Sequence, residues 1–205
     1  MLTEKRWRDL TEALNLSPCP DCFKAIQKAY SEGHRFYHTD QHINAMLKHL
    51  DATKSLAENP YELELAIWFH DAIYKPFSST NELDSANWAK AFLNKENYID
   101  AGIDRIYRLI MVTQHHGNAE SNDESLMVDI DLTILGTSEE VYDEFEKNVR
   151  KEYKLVPWFV YKKKRKEILE SFMSMPSVYR LDYFKSRYED QARRNIARAI
   201  QVLSE

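Results

Sequence analysis

The chain has 205 residues, 43% of them hydrophobic and 30% charged, a composition that suits one generous folded domain and excludes wholesale disorder. A formal charge of −5 and a sequence pI near 5.8 exclude a globally basic nucleic-acid binder, but not a local basic pocket for a phosphorylated small molecule. Only 4 Gly and 6 Pro leave little material for tight hairpins, which argues against a turn-dense sandwich or barrel.

Helical periodicity recurs from end to end, and no convincing alternating strand interrupts it. The spacing predicts a helix over about 3–14, stopped by Ser17-Pro18, and a second over about 21–31, ending near Gly33. A third begins with Asp40 as its N-cap and places Ile43, Met46, Leu47 and Leu50 on one buried stripe. Pro60 opens a helix over about 61–73 that is apolar nearly all round through Ala66-Ile67-Trp68-Phe69, and is therefore expected at the centre of the core. After a loop at 75–80, Asn81 caps a helix to about 94. Another runs over about 100–114, followed by the polar loop His116-Gly117-Asn118. A short helix after Asp123 ends near Gly136, and three more follow over about 138–153, 159–173 and 182–203.

No apolar run approaches the roughly 18 residues of a membrane helix. The start, MLTEKRWRDL, is charged throughout and lacks an apolar signal core, so a cytoplasmic location is expected. Both cysteines lie in Cys19-Pro20-Asp21-Cys22. With no second pair for zinc and no preceding strand for a redox motif, this reads as a helix start with Pro and Asp in its first turn. The basic run Lys162-Lys163-Lys164-Arg165-Lys166 reads as one solvated helix face, since no aromatic ladder interleaves it. Trp158 and Phe159, near Pro157, are read as core or interface residues, with core the favoured reading.

The placement of the histidines carries the chemistry. Five of the 7 fall in three clusters, each near a predicted helix end: His38 and His42, then His70, then His115 and His116. His70-Asp71 lies in a segment otherwise committed to the core, where an unpaired carboxylate is costly and needs a cation, a ligand or a dense hydrogen-bond shell. A divalent ion satisfies both side chains, because imidazole nitrogen and carboxylate oxygen bind borderline and hard cations. Adjacent helical side chains diverge by about 100°, so further ligands must arrive from other helices. Asp129-Ile130-Asp131-Leu132 poses the same problem among Met127, Val128 and Ile134. His42, His70, Asp71 and one acid of that pair make a two-His, two-Asp site.

The order His42, His70-Asp71, Asp131 resembles the HD superfamily of metal-dependent phosphohydrolases, and in particular a bacterial subgroup of predicted HD-type phosphohydrolases. The resemblance is carried by Arg35-Phe36-Tyr37-His38-Thr39-Asp40-Gln41-His42-Ile43 and by Trp68-Phe69-His70-Asp71-Ala72-Ile73-Tyr74. Asn81-Glu82 with Ser85-Ala86, the stretch from Asp129 to Gly136, and Glu189, Ala192-Arg193 and Asn195 continue it, so that it covers about residue 30 to the end. It implies an all-α, single-domain helical bundle of the HD-domain type over 1–205, with a metal-site core over about 30–136 and C-terminal helices over about 138–205. It also implies that His42, His70, Asp71 and Asp131 ligate one divalent ion. Asp129 is then an acid that backs the ligands or caps its helix, His38 matches a residue of the subgroup and is grouped with Asp129 at the cofactor site without an assigned role, and His115 and His116 are available for a second ion or for phosphate.

The activity implied is hydrolysis of a small phosphorylated metabolite or nucleotide by a metal-activated water. Asp71 or Asp131 would orient the water, Arg35, Lys75, His115 and His116 would steady the phosphate, and Glu82 would serve as outer acid–base group. Mixed nitrogen and oxygen ligation suits Mn, Fe, Co, Ni, Zn or Mg, as one ion or two. Neither a nucleic acid nor a membrane is an expected partner, and oligomeric state is open. The alternatives are a di-iron HD-type oxygenase and a non-catalytic, metal-stabilised helical binding module.

Overall fold

The structure is a computed structural model that describes residues 1–114 and 119–205. Among these residues there are ten α-helices and no strand: α1 Glu4–Ala13, α2 Pro20–Tyr30, α3 Asp40–Thr53, α4 Pro60–Phe69, α5 Asn81–Lys95, α6 Asp100–Met111, α7 Asn122–Asp131, α8 Glu139–Glu152, α9 Trp158–Ser174 and α10 Asp182–Val202. Short 3-10 turns follow α3, α6 and α7 at Lys54–Leu56, Val112–Gln114 and Leu132–Gly136. No helix among the described residues is long and apolar enough to cross a membrane. The all-α expectation therefore holds, with most helix ends within a residue or two of those read from the sequence. Packing separates two compact units, Met1–Ile130 and Asp131–Glu205, with the boundary at the last residue of α7.

In the first unit α4 is the central element, packed against α1, α3, α5 and α6. All eight positions from Glu62 to Phe69 are buried. Two of these are carboxylates, and each has a cation from another helix. Glu62 accepts from Arg105 Nε at 2.6 Å and Nη2 at 2.7 Å, and from the Tyr98 hydroxyl at 2.9 Å. Glu64 accepts from Arg6 Nε at 2.7 Å, and the rest of that guanidinium forks onto Asp51 at 2.7 and 2.8 Å. These pairs let an all-buried helix carry two charges, because a buried carboxylate is tolerated where it is paired and hydrogen-bonded. At the entry to α4, the Asp123 carboxylate accepts the Glu58 and Asn59 backbone N–H groups at 2.7 and 2.8 Å, tying the start of α4 to the start of α7.

Two helix ends differ from expectation in ways that matter for the site. The N-cap of α3 is Thr39, whose hydroxyl accepts from Gln41 N, so His38 lies on the entering segment. α4 stops at Phe69, four residues before the expected end at Ile73. Pro76, which has no N–H to donate to the Ala72 carbonyl, bars a longer helix, while the stop at Phe69 itself comes where other side chains take up the following backbone. The Lys75 N–H instead donates to the Asn81 side chain at 3.0 Å.

In the second unit, α10 packs on α9 and on the turn Leu132–Gly136, which α8 also covers. The residues of the tail motif hold this unit together. Glu189 accepts from the backbone of Val178 and Tyr179 and from Ser177, and Arg193 donates to Glu189 at 2.8 Å and to the Met175 carbonyl at 2.9 Å. The Asn195 amide donates to the Leu135 and Thr137 carbonyls, both at 2.9 Å, and the Tyr179 hydroxyl donates to the Leu132 carbonyl at 3.0 Å. Gly136 is required by closeness rather than by backbone angle. A Cβ there would stand 2.7 Å from the Tyr188 carbonyl oxygen and 2.9 Å from the Tyr179 hydroxyl. Gly136→Ala should therefore cost about 2–3 kcal/mol of unfolding free energy, read by urea denaturation.

Trp158 and Phe159, expected in the core, are exposed at the start of α9. The basic run is not a uniform solvated face either. Arg165 folds onto the Phe145 ring and forks onto Glu146 at 2.7 and 3.0 Å. At Cys19-Pro20-Asp21-Cys22 the expected helix start is present, with Cys19 as N-cap at φ 36° and Pro20 in the first turn. Both thiols are free and half-buried, and burial together with the neighbouring Cys19 pushes the Cys22 thiol up to about 12.

Candidate metal centre

The residues that the sequence marks for metal binding come from three helices. His42 sits in the first turn of α3 and is buried. His70 is the C-cap of α4, is almost fully buried, and places Nδ1 3.0 Å from the Ile67 carbonyl oxygen. A carbonyl only accepts, so Nδ1 carries the proton and the Nε2 of a neutral His70 is a lone pair. That lone pair faces two other atoms: Asp71 Oδ2 at 3.0 Å and His42 Nε2 at 3.3 Å. Asp71 Oδ2 and His42 Nε2 are themselves 3.6 Å apart. Asp131, the last residue of α7, offers a carboxylate oxygen such that the ligand atoms of His42, His70 and Asp131 all lie within 4.8 Å of one another.

The His70 lone pair and the Asp71 carboxylate repel each other unless a proton or a cation lies between them. The spacing fits a cation. Ligands at about 2.1 Å from one ion stand about 3.0 Å apart along an octahedral edge and about 3.4 Å apart along a tetrahedral one. The observed 3.0 and 3.3 Å match those edges and the 3.6 Å between His42 and Asp71 is slightly longer, and the borderline-to-hard donor set suits a first-row divalent ion or Mg. Burial works against the Asp71 charge, but His70, His38 and His42, when protonated, hold its carboxyl well below the usual carboxylate range, and a divalent ion in place of those protons would act in the same direction. The Asp71 side chain keeps 14% of its surface exposed, so the group is not sealed from solvent.

No family model, curated protein or solved structure matches this chain. The site is therefore read from its own atoms.

Several residues outside this group fix it in place. Arg35 lies buried between the rings of Tyr30 and Tyr74, at 5.3 and 5.4 Å from their centroids. Its guanidinium donates to the Asp71 carbonyl at 2.6 Å, the Ala72 carbonyl at 3.0 Å, the His38 carbonyl at 3.2 Å and the Glu32 carboxylate at 3.0 Å. It thus ties the segment entering α3 to the turn leaving α4. These bonds occupy the guanidinium with backbone, so Arg35 holds ligand-bearing segments together rather than presenting a cation to phosphate. Asn81 and Ser85 pin the same turn from α5. Asn81 bonds both the N–H and the carbonyl of Lys75 at 3.0 Å, and the Ser85 hydroxyl accepts from Ile73 N at 3.0 Å.

The remaining sequence candidates are placed as follows. His38 stacks on Tyr74 at 4.1 Å with its ring 6.1 Å from that of His42, and Tyr37 lies 4.8 Å from His42 on another side. Asp129 is fully buried in α7. Two residues before Asp131, it projects roughly 200° round the helix from it, so the two acids face different ways. Lys75 is exposed on the loop after Asp71, and Glu82 is half-buried in the first turn of α5. His115 and His116 lie outside the described residues. The aromatic walls of Tyr30, Tyr37 and Tyr74 and the clamping role of Arg35 were missed from the sequence. An arginine set in the aromatic stretch Arg35-Phe36-Tyr37 is the signal that could have marked it as buried.

Proposed function

We propose that the chain is an HD-type, metal-dependent phosphohydrolase acting on a small phosphorylated metabolite or nucleotide. The observation that carries this reading is the close approach of His42 Nε2, His70 Nε2 and Asp71 Oδ2, with Asp131 beside the two imidazoles. The chain order of these residues, which resembles the superfamily's pattern, supports it further. His42, His70, Asp71 and Asp131 would hold one divalent ion, which supplies an acidified water and polarises a phosphoryl oxygen.

The chain's own residues do the rest. The Ile67 carbonyl fixes the His70 tautomer so that Nε2 stays a lone pair. Asp71, kept anionic by the positive charge of an ion beside it, would orient a water proton without storing it. Tyr37, Tyr74 and His38 form an aromatic wall on the α3 side. Lys75 and Glu82, on the loop and helix that follow Asp71, are the groups in this reading that steady phosphate and move a proton at the leaving oxygen.

Protein purified without chelator, assayed for bound metal and against a panel of phosphomonoesters and nucleotides with Mn, Co or Mg supplied, tests the proposal. Phosphate release that disappears in Asp71→Ala supports it. Silence across the panel with metal bound would leave only a metal-stabilised module. Two ligand predictions sharpen the assignment. Asp131→Ala should abolish metal retention, whereas Asp129→Ala should weaken it only about 10–100-fold, as changes behind the ligands do. Arg35→Lys keeps the charge but cannot span three carbonyls. It should lower metal affinity by a similar 10–100-fold in a calorimetric titration, with the helical circular dichroism retained.

A further inference from the structure

The second unit carries a feature that the metal centre does not use. The turn at 153–157 and the start of α9 expose Leu155 by 77%, Phe159 by 74%, Trp158 by 51% and Val160 by 38%. This tip is held rigidly. Arg150 donates to the Tyr153 carbonyl at 2.7 Å and to the Val156 carbonyl at 3.1 Å, and its guanidinium lies 5.5 Å from the Trp158 ring. Directly beside the apolar tip is an excess of cations. Residues 154–166 contain Lys154, Lys162, Lys163, Lys164, Arg165 and Lys166 and no acidic residue, in a chain of net charge −5. Arg165 is paired with Glu146 and Lys164 with Glu167, but Lys162 and Lys163 have no ion-pair partner among the described residues.

We propose that this tip docks on the surface of an anionic phospholipid bilayer, a peripheral contact that the overall acidic charge did not lead us to expect. Phe159 shares a helix face with Lys162 and Lys163, three and four residues on. At 1.5 Å per residue the lysines stand about 4.5 and 6 Å along the axis from the ring, so when the start of α9 meets the bilayer first they remain on its headgroup side. Leu155, Phe159 and Val160 then enter the acyl boundary, Trp158 sits at headgroup level, and the lysines meet lipid phosphates.

The occupant follows from the chemistry. A single-stranded nucleic acid would need a row of free aromatic faces, yet Phe159 is the one such ring of the tip: Trp158 already stacks on Tyr161 at 5.8 Å and meets Arg150, while Leu155 and Val160 offer no stacking surface. Lys164, Arg165 and Lys166 are paired with Glu167, Glu146 and Glu170, but a second copy docking by the same patch would still set Lys162 and Lys163 against the same two lysines.

Co-sedimentation of the full chain with vesicles, equimolar in phosphatidylglycerol and phosphatidylcholine or of phosphatidylcholine alone, tests this. The protein should partition to the anionic vesicles, not to the neutral ones, and should be released by high salt. Phe159→Ser and Leu155→Ser should each lower partition about tenfold or more. Lys162→Ala with Lys163→Ala should lower it about 30-fold, at about fivefold per lysine. All four side chains are at the surface, so melting temperature should not move. Absence of sedimentation at low salt, or unchanged partition of Phe159→Ser, would overturn the proposal. So would a concentration-dependent dimer that Phe159→Ser dissolves, or an oligonucleotide complex that depends on the same residues while vesicles are ignored.

Discussion

His70→Ala is expected to remove retention of a divalent ion altogether, a loss of more than about 100-fold in affinity measured by titration with Mn or Co. His70 contributes at three levels. Its Nε2 faces both His42 Nε2 and Asp71 Oδ2, its Nδ1 proton is engaged by Ile67, and its backbone N–H closes the last turn of α4 on Ala66 at 2.9 Å. The alanine variant keeps that backbone bond, so α4 and its packing should survive while the site loses a ligand. Protons compete with metal for imidazole nitrogen, so wild-type affinity should also fall steeply on acidification, and protons should be released on binding. Retention of metal by His70→Ala would show that the imidazole pair is a buried hydrogen-bonded cluster and not a ligand set.

Trp68→Ala should cost about 3–5 kcal/mol of stability, read by urea denaturation. Trp68 is fully buried at the centre of α4, with the Trp7 ring 5.3 Å and the Phe23 ring 6.2 Å away. Its carbonyl accepts the Tyr30 hydroxyl at 3.1 Å, a bond that lies beside the Arg35 clamp. Truncation opens a cavity where α1, α2 and α4 meet and loosens the helix that ends in His70, so metal affinity should fall together with stability. Trp68→Phe should cost much less. The indole Nε1 is buried without a hydrogen-bond partner, so losing that group carries no broken bond.

How far the fold could be read from the sequence depends on which physical signal set each element. Stripes such as Ile43, Met46, Leu47 and Leu50 in α3 report burial directly, and all four are buried. Helix ends were harder wherever a tertiary partner decides them. α4 stops at Phe69 because Arg35, Asn81 and Ser85 capture the backbone of residues 71–75 from 12 or fewer positions away in the case of α5 and from 36 or 37 in the case of Arg35. Composition cannot announce a bond of the latter kind. Glu62 and Glu64 look like a solvated edge until Arg105 and Arg6 are seen to reach them.

The candidate ligands were legible because charged and ligating side chains stood inside an apolar run, a conflict that packing alone cannot resolve. Arg35 was read as a phosphate-binding cation because sequence gives its charge but not its neighbours, and its neighbours are carbonyls. Trp158 and Phe159 were assigned to the core on hydrophobicity alone, although nothing in the sequence supplies an element to cover them.

The most direct measurement is an anomalous-difference map from crystals of the protein loaded with Mn. The account predicts one strong peak among His42 Nε2, His70 Nε2, Asp71 and Asp131, each ligand atom at roughly 2.0–2.3 Å from it. Metal-soaked crystals with no peak there, or with the ion held by other residues, would contradict it.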